Sequence, residues 1–344
     1  TNATVAGGRF NVANEANATV GGGETNTASG RHATVGGGYG NTASSYSATV
    51  GGGNLNTASR GYAVVGGGFE NAASGTGAMV GGGERNIASG DYSFVGGGDY
   101  NTASGLVATV GGGTRNDASG ELAIVGGGKD NIAHGTNSTV GGGYGNSASG
   151  SYSTVAGGYS NSAIGSYSTV GGGRQNSSAN QGTVAGGMNN RATMNGTVGG
   201  GQYNTASWAG STVGGGYSNT ASESVCTVGG GEFNTASEQR ATIGGGSQNV
   251  ADGDYATIPG GLSNTASNYA FAAGRRAKAN HAGSFVWGDS TDADVASASD
   301  NSVTFRAAGG YRLFSDSGLT LGAQLPPNAT AWAALSDRNA KENF

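Results

Sequence analysis

The chain of 344 residues is short of cysteine, proline, charge and long apolar runs, and each shortage excludes a class of protein. Cys226 is the only cysteine, so no disulfide can form within the chain. It stands where other copies of a repeat carry Ala or Ser, and so reads as a small residue in their place. Three prolines beside 73 glycines exclude collagen, because the glycines come in runs of three and not at every third position. Charged residues are 11% of the chain, too few for a charge-rich disordered segment. A net charge of −5 with no Lys/Arg cluster argues against a nucleic-acid surface. No stretch of 18 apolar residues is present, so no membrane span is read. Hydrophobic residues make up 35%, which suits a thin linear core better than one large one.

What the chain does have is one phrase written about nineteen times, T-V-G-G-G-x-x-N-T-A-S-G-x-Y-A. The Thr-Val pair or its equivalent begins at residues 4, 19, 34, 49 and onward to 285, in steps of 15 with a few of 14 after Thr169. A period this short predicts a solenoid in which each repeat is one coil stacked on the last. The fold class is therefore all-β, a parallel β-roll or β-solenoid of about nineteen coils of 14–15 residues.

Numbered from its Thr, each repeat carries Val at position 2 (Val20, Val35, Val50), Asn at position 8 (Asn26, Asn41, Asn56) and Ala at position 10 (Ala28, Ala43, Ala58). Stacked parallel strands about 4.8 Å apart place like on like, so Val and Ala predict two facing core ladders. Asn recurs in eighteen successive copies, from Asn11 to Asn264. It tolerates left-handed backbone, bonds to nearby backbone groups, and can form an amide ladder along the stack. The glycines at positions 3 to 5 predict a turn with positive φ and close backbone approach. Positions 6–7 and 12–14 vary freely and read as exposed turns. Two turns of about seven residues in total leave two strands of about four residues each, roughly 13 Å long, which favours a flattened two-sheet roll. Position 1 is mostly Thr but becomes Val64, Met79, Phe94, Ile124, Phe271 and Phe285. A column that accepts both kinds of side chain reads as a packing seam between chains, and threefold association would bury it.

The stretch Ser138 to Tyr152, and above all Ala270 to Phe285, resembles the head repeats of trimeric autotransporter adhesins. The resemblance covers roughly residues 1–288 and implies a homotrimer of left-handed parallel β-rolls. Those repeats are about 14 residues long, so the 15-residue step here departs from the pattern and puts the detailed turn in question.

After this shaft of residues 1–288, residues 289–301 read as a Ser/Asp/Ala-rich linker, and residues 302–335 as a β-hairpin neck with Gly309-Gly310 at its turn. Residues 336–344, Ser-Asp-Arg-Asn-Ala-Lys-Glu-Asn-Phe, resemble the start of the intramolecular chaperone domain of phage tail fibres and tail spikes. That resemblance implies Ser336 as the nucleophile of a self-cleavage and Lys341 as its activating base, since a weak hydroxyl needs a base. The body of such a domain is absent from the sequence, although the chain runs past Ser336.

Catalytic and metal constellations are weak. His32, His134 and His281 lie many coils apart and cannot share a metal within one chain. The stretch from Val125 to Asp130 lacks the Gly-Lys-Ser/Thr of a phosphate loop. Asp appears only sporadically, against calcium-binding repeats, and no pair of carboxylates recurs as a glycan hydrolase would require. Tyrosines in the turns could stack on sugars or cover neighbouring turns, and the second reading is preferred. The chain is expected to be no enzyme apart from self-cleavage, to need no cofactor, and to bind itself and a cell-surface glycan or protein. The leading reading is an extracellular structural and adhesive fibre segment of a virion tail or a bacterial surface appendage. The alternatives are an ice-binding solenoid using the Thr column, and a carrier for a glycan-degrading tip outside this chain.

Overall fold

The computed structural model describes residues 2–319 and 321–335, and no helix occurs among them. They divide into two compact units, one up to Tyr217 and one from Ser218. Both are built from the same coil, and both are parallel β-solenoids.

In the first unit the pairs from Thr4–Val5 to Thr212–Val213 form one parallel sheet, and those from Val12–Ala13 to Thr205–Ala206 form another. Register is strictly like on like: Thr4 faces Thr19 and Val5 faces Val20, while Thr27 faces Thr42 and Ala28 faces Ala43. The strands are two residues long rather than the expected four, because turn geometry takes up the rest of the coil. A third parallel contact, one residue wide, runs through position 6, from Arg9 to Glu24 to Tyr39 and on to Tyr217. Two sheets and this single-residue ladder therefore share the work assigned to two longer strands.

The core is built from small side chains. Val20, Val35 and Val50 are fully buried, as are Ala28, Ala43 and Ala58. A third column at position 15 joins them, with Ala18, Ala33 and Ala48 at zero exposure and Ser93, Ser138 and Ser153 in the same place. In the second unit Cys226 fills this position, and burial raises its thiol pKa and keeps it neutral. Each coil thus buries one Val or Ile, worth about 1.5–3 kcal/mol, and two residues of Ala size. No coil has a core of its own, so stability arises between neighbours.

The buried Asn column is the polar counterpart of this core. Asn131 lies between Asn116 and Asn146. Its Nδ2 donates to the carbonyls of Gly127 in its own coil and Gly143 in the next, both at 2.9 Å. Its Oδ1 accepts the backbone N–H of Asn146 at 3.0 Å, and its own N–H goes to Oδ1 of Asn116. The amide-to-amide contact along the column is longer, 3.2 Å to Asn116. The expected ladder is therefore chiefly side chain to backbone. The Asn residues themselves are not left-handed; the residue just before each one is, as at Leu55 (φ 57°) and Asp130 (φ 56°).

Of the three glycines, only the third requires positive φ in every coil. At Gly128 φ is 88°, and a Cβ would lie 2.2 Å from the Gly143 carbonyl oxygen. At Gly127 a Cβ would meet nothing closer than 3.8 Å. Where a repeat has 14 residues, as from Thr169 to Thr183, the missing residue is taken from the 11–14 turn and both sheets keep register.

In the second unit the last coils depart from the pattern. The coil at Phe271 has no Asn at position 8. Ala277 takes that place, and its N–H bonds to Oδ1 of Asn264, which ends the column. With the triple-glycine turn gone, the strands lengthen to Phe271–Arg275 and Phe285–Gly288. Residues 289–301, read as a linker, are a coil insertion: Val295–Ala296 pairs in parallel with Ala277 and Lys278. Val303–Arg306 pairs in parallel with Phe285–Gly288 and so belongs to the solenoid, not to a hairpin with Tyr311–Phe314. The Asp289 carboxylate holds this coil closed and explains why Arg306 turns back to it. It accepts the N–H groups of Ala308 (2.7 Å) and Thr291 (3.1 Å) and Nε of Arg306 (2.8 Å), which together hold it well below the usual carboxylate pKa. The antiparallel element comes after it: Tyr311–Phe314, Gly322–Leu325 and Ala333–Leu335 form a three-stranded sheet.

Two pairs of variants test these constraints in chemical denaturation with a circular-dichroism readout. Gly128→Ala should destabilise its neighbourhood by about 3 kcal/mol or more, whereas Gly127→Ala should shift the midpoint by less than about 0.5 kcal/mol. Equal effects would refute the steric assignment. Asn131→Ala should cost about 2 kcal/mol or more, since it leaves the Gly127 carbonyl and the buried N–H of Asn146 without partners, while the Gly143 carbonyl keeps the Lys129 N–H. Asn131→Asp should cost more, because it turns an oxygen towards both carbonyls. A near-neutral Asn131→Ala would remove the column from its central place.

Candidate interaction surface

The coil's inward positions are filled by Val, Ala and Asn, so anything that recognises a partner must lie on the outward strand positions or on the two turn edges. Positions 1 and 9 point outward from the two sheets. Position 1 is partly exposed Thr in most coils of the first unit, interrupted by Val64, Met79 and Phe94 in consecutive register, and by Ile124. Met79 is 45% exposed and Phe94 38%, so three apolar side chains line one outward stripe. Position 9 is a second Thr column (Thr27, Thr42, Thr57), which the sequence reading did not single out; it belongs to the other sheet.

The turn edge at positions 6–7 carries aromatic and charged ladders. Tyr144 and Tyr159 stack at 5.3 Å between ring centres, with Lys129 over the outer face of one and Arg174 over the outer face of the other. On the opposite edge Tyr152 and Tyr167 stack at 5.0 Å with a 2° interplanar angle. These spacings match the rise of one coil. The faces of Tyr144 and Tyr159 are covered by neighbouring side chains, which favours the turn-covering role over sugar stacking at that pair. Ion pairs follow the same ladder. Arg115 bonds to Asp130 through two hydrogen bonds, 2.7 and 3.0 Å long, and this contact lowers the pKa of the Asp130 carboxyl. Arg85 links Glu70 (2.6 Å), Glu84 (3.1 Å) and the Tyr100 hydroxyl. These pairs are exposed and screened by water, so each contributes little to stability.

Residues 153–165 match the repeat family described as the ubiquitous surface protein adhesin repeat. No curated protein matches the chain. The matched segment is one coil, running from Ser153 past the Thr154–Val155 strand, Tyr159 and Asn161 to the turn at Gly165. Together with the repeated solenoid, this likeness fits an adhesin-like repeat protein and suggests a surface-exposed one.

The structural ladder residues occupy their expected places: Val20, Val35, Val50, Ala28, Ala43, Ala58, Asn26, Asn41 and Asn56 are all buried. Ser336 and Lys341 lie outside the described residues. The three histidines make separate local contacts. His32 packs edge-on against Tyr46, His134 meets Asp117 at 3.1 Å, and His281 meets the Ser297 hydroxyl at 2.7 Å. Among the described residues no group of three His, Cys, Asp or Glu side chains could hold a metal.

Sequence reasoning missed the conformation of the turn tips. Positions 7 and 14 are left-handed in coil after coil, even at Leu55, Tyr62 and the β-branched Val107. Their amides donate to the preceding coil, as Tyr62 does to the Tyr46 carbonyl at 2.9 Å, and these ladder bonds offset a cost of about 1–2 kcal/mol per residue. The variable residue types hid the constraint. Val107→Asn should therefore stabilise the protein by about 0.5–1 kcal/mol, read as a rise in denaturation midpoint. A fall would show that the strain is relieved some other way.

Proposed function

We propose that this protein is a structural and adhesive fibre segment, a self-associating β-solenoid shaft that presents repeated turns to a cell surface. The observation that carries the reading is the outward position-1 column, where half-buried Val64 and exposed Met79 and Phe94 stand in register, with exposed Ile124 two coils on, on a sheet whose other outward members in this unit are Thr. Single exposed apolar residues are ordinary, but a contiguous stripe marks an interaction face. Threefold association about an axis along the solenoid covers such a stripe in every copy at the same height. The resemblance to trimeric adhesin heads and the adhesin-repeat likeness of residues 153–165 support the same assembly. The work is mechanical and presentational: regular backbone bonds hold the shaft while the turn residues vary.

Within this proposal the chain serves a phage tail fibre or a bacterial surface appendage, with Ser336 and Lys341 acting in self-cleavage ahead of a chaperone domain. The chain itself carries out no other chemistry, and a glycan-degrading tip, if the fibre bears one, lies elsewhere. Ice binding is less favoured. The two Thr columns, at positions 1 and 9, are on different sheets and cannot form one paired flat face.

Sedimentation velocity together with mass spectrometry of the C-terminus tests this reading. The expected species is elongated, with about three times the 33.2 kDa chain mass. Subunits ending at Leu335, and longer ones in Ser336→Ala, would support the cleavage. A compact monomer of 33.2 kDa would overturn the fibre reading.

A further inference from the structure

The second unit ends in a segment that buries nothing. From residue 298 to 335 no described residue is buried, although three strands pair there in an antiparallel sheet. A sheet of this size needs one covered apolar face to be stable. Here that face is open. Trp287, Phe305, Ala307, Tyr311, Leu313 and Trp332 line a cavity of about 540 Å³. Leu313 is 63% exposed and Trp332 52%.

We propose that this aromatic cavity is a docking surface for a second copy of the same chain, and that the terminal sheet is completed only in the assembly. The proposal rests on the self-association put forward above and gives it a specific contact.

Three observations select this occupant. The cavity offers almost no polar group: its one hydroxyl, on Tyr311, is already bonded to the Phe305 carbonyl. A sugar needs donors and acceptors as well as ring faces, so a glycan is disfavoured. Three arginines of the neighbouring coils are also paired internally. Arg306 is held by Asp289 at 2.8 Å, Arg275 by Asp292 at 3.0 Å and Arg276 by Asp294 at 2.7 Å, which leaves little for a charged partner to meet. Finally, the cavity adjoins the outward position-1 column of this unit, two residues further along the same strands. Phe271 and Phe285 stack at 4.5 Å with a 5° interplanar angle, and Phe285 meets Phe305 at 5.5 Å. A copy aligned along the same axis brings an identical apolar ladder to the same height, so the column and the cavity are covered by one partner.

Leu313→Ser combined with Trp332→Ser removes exposed side chains and should leave a lone chain folded. In the assembly the same pair should weaken association by about a hundredfold, as sedimentation velocity across a dilution series would show. Circular dichroism checks the fold. An independent readout uses Trp208→Phe, which leaves Trp287 and Trp332 as the reporting indoles. Their emission should be blue-shifted and protected from acrylamide in the assembly, and should become exposed on dissociation. If the double variant does not fold, this quenching measurement decides alone. An assembly that persists unchanged with both serines, or one in which the two tryptophans stay fully quenchable, overturns the docking surface and leaves self-association standing. A wild-type chain that remains monomeric overturns both.

Discussion

The side-chain amide of the repeated Asn is the constraint on which the rest of the coil depends. It joins two groups that no backbone ladder reaches, a Gly carbonyl in its own coil and the N–H of the following Asn, to a Gly carbonyl of the next coil that also accepts a backbone N–H. The carbonyl in its own coil lies in a part-buried turn, where losing its partner would cost about 1 kcal/mol. The amide therefore sets how closely one turn lies on the next. That closeness excludes a Cβ at the third glycine, where the carbonyl of the next coil would be about 2 Å away. One polar side chain thus accounts for the glycine beside it and the coil spacing. The converse appears at Ala277. Where the Asn is missing, the triple-glycine turn is missing too, and the strands run on to four and five residues.

A core only a Val and two Ala-sized residues thick has consequences at the surface. Each coil relies on its neighbours: Val5, with a described coil on one side, is 46% exposed, whereas Val20 and Val35, with a coil on each side, are fully buried. Because ladder bonds and the Asn column hold the turns, residue type at the tips is released from folding. Tyr, Leu, Arg and Asp all occupy position 7 with the same left-handed backbone. The scaffold can vary its exposed chemistry from coil to coil without altering its geometry, a property well suited to presentation.

Much of this was legible in the repeat. A fixed Val, a fixed Ala and a fixed Asn at constant spacing predict stacked ladders, and those ladders are present. Strand length was not legible, since four residues between turns can pair fully or only at two positions, and close glycine stacking decides for two. The third core column at position 15 escaped notice because Ala, Ser, Gly and Cys share only their small size. Left-handed tips escaped because no residue type marks them. The region past Gly288 misled for another reason. A polar, Asp-rich run reads as a linker when its carboxylates are taken as solvated, yet Asp289, Asp292 and Asp294 are spent on Arg306, Arg275 and Arg276 of nearby coils. Single positions within one period carry the fold, whereas these pairings join residues 16 to 18 apart that belong to no repeat.

What the surface leaves unspent points to its role. On the turn edges Tyr144 and Tyr159 cover one another, with basic side chains on their outer faces, and Arg115 and Asp130 are paired. The outward Thr residues carry small hydroxyls that water satisfies readily. The chemistry still seeking a partner is apolar: the stripe through Met79 and Phe94 in one unit, and the aromatic cavity beside Trp287 in the other. Apolar surface held in fixed register along a repeat is matched best by a surface with the same period, and another copy of the chain has that period by construction. In the proposed assembly every variable turn is displayed several times at equal height. Weak contacts to a cell surface then add through effective concentration rather than through the strength of any one site. A solenoid can adhere in this way, because repetition supplies what a single pocket would otherwise have to provide.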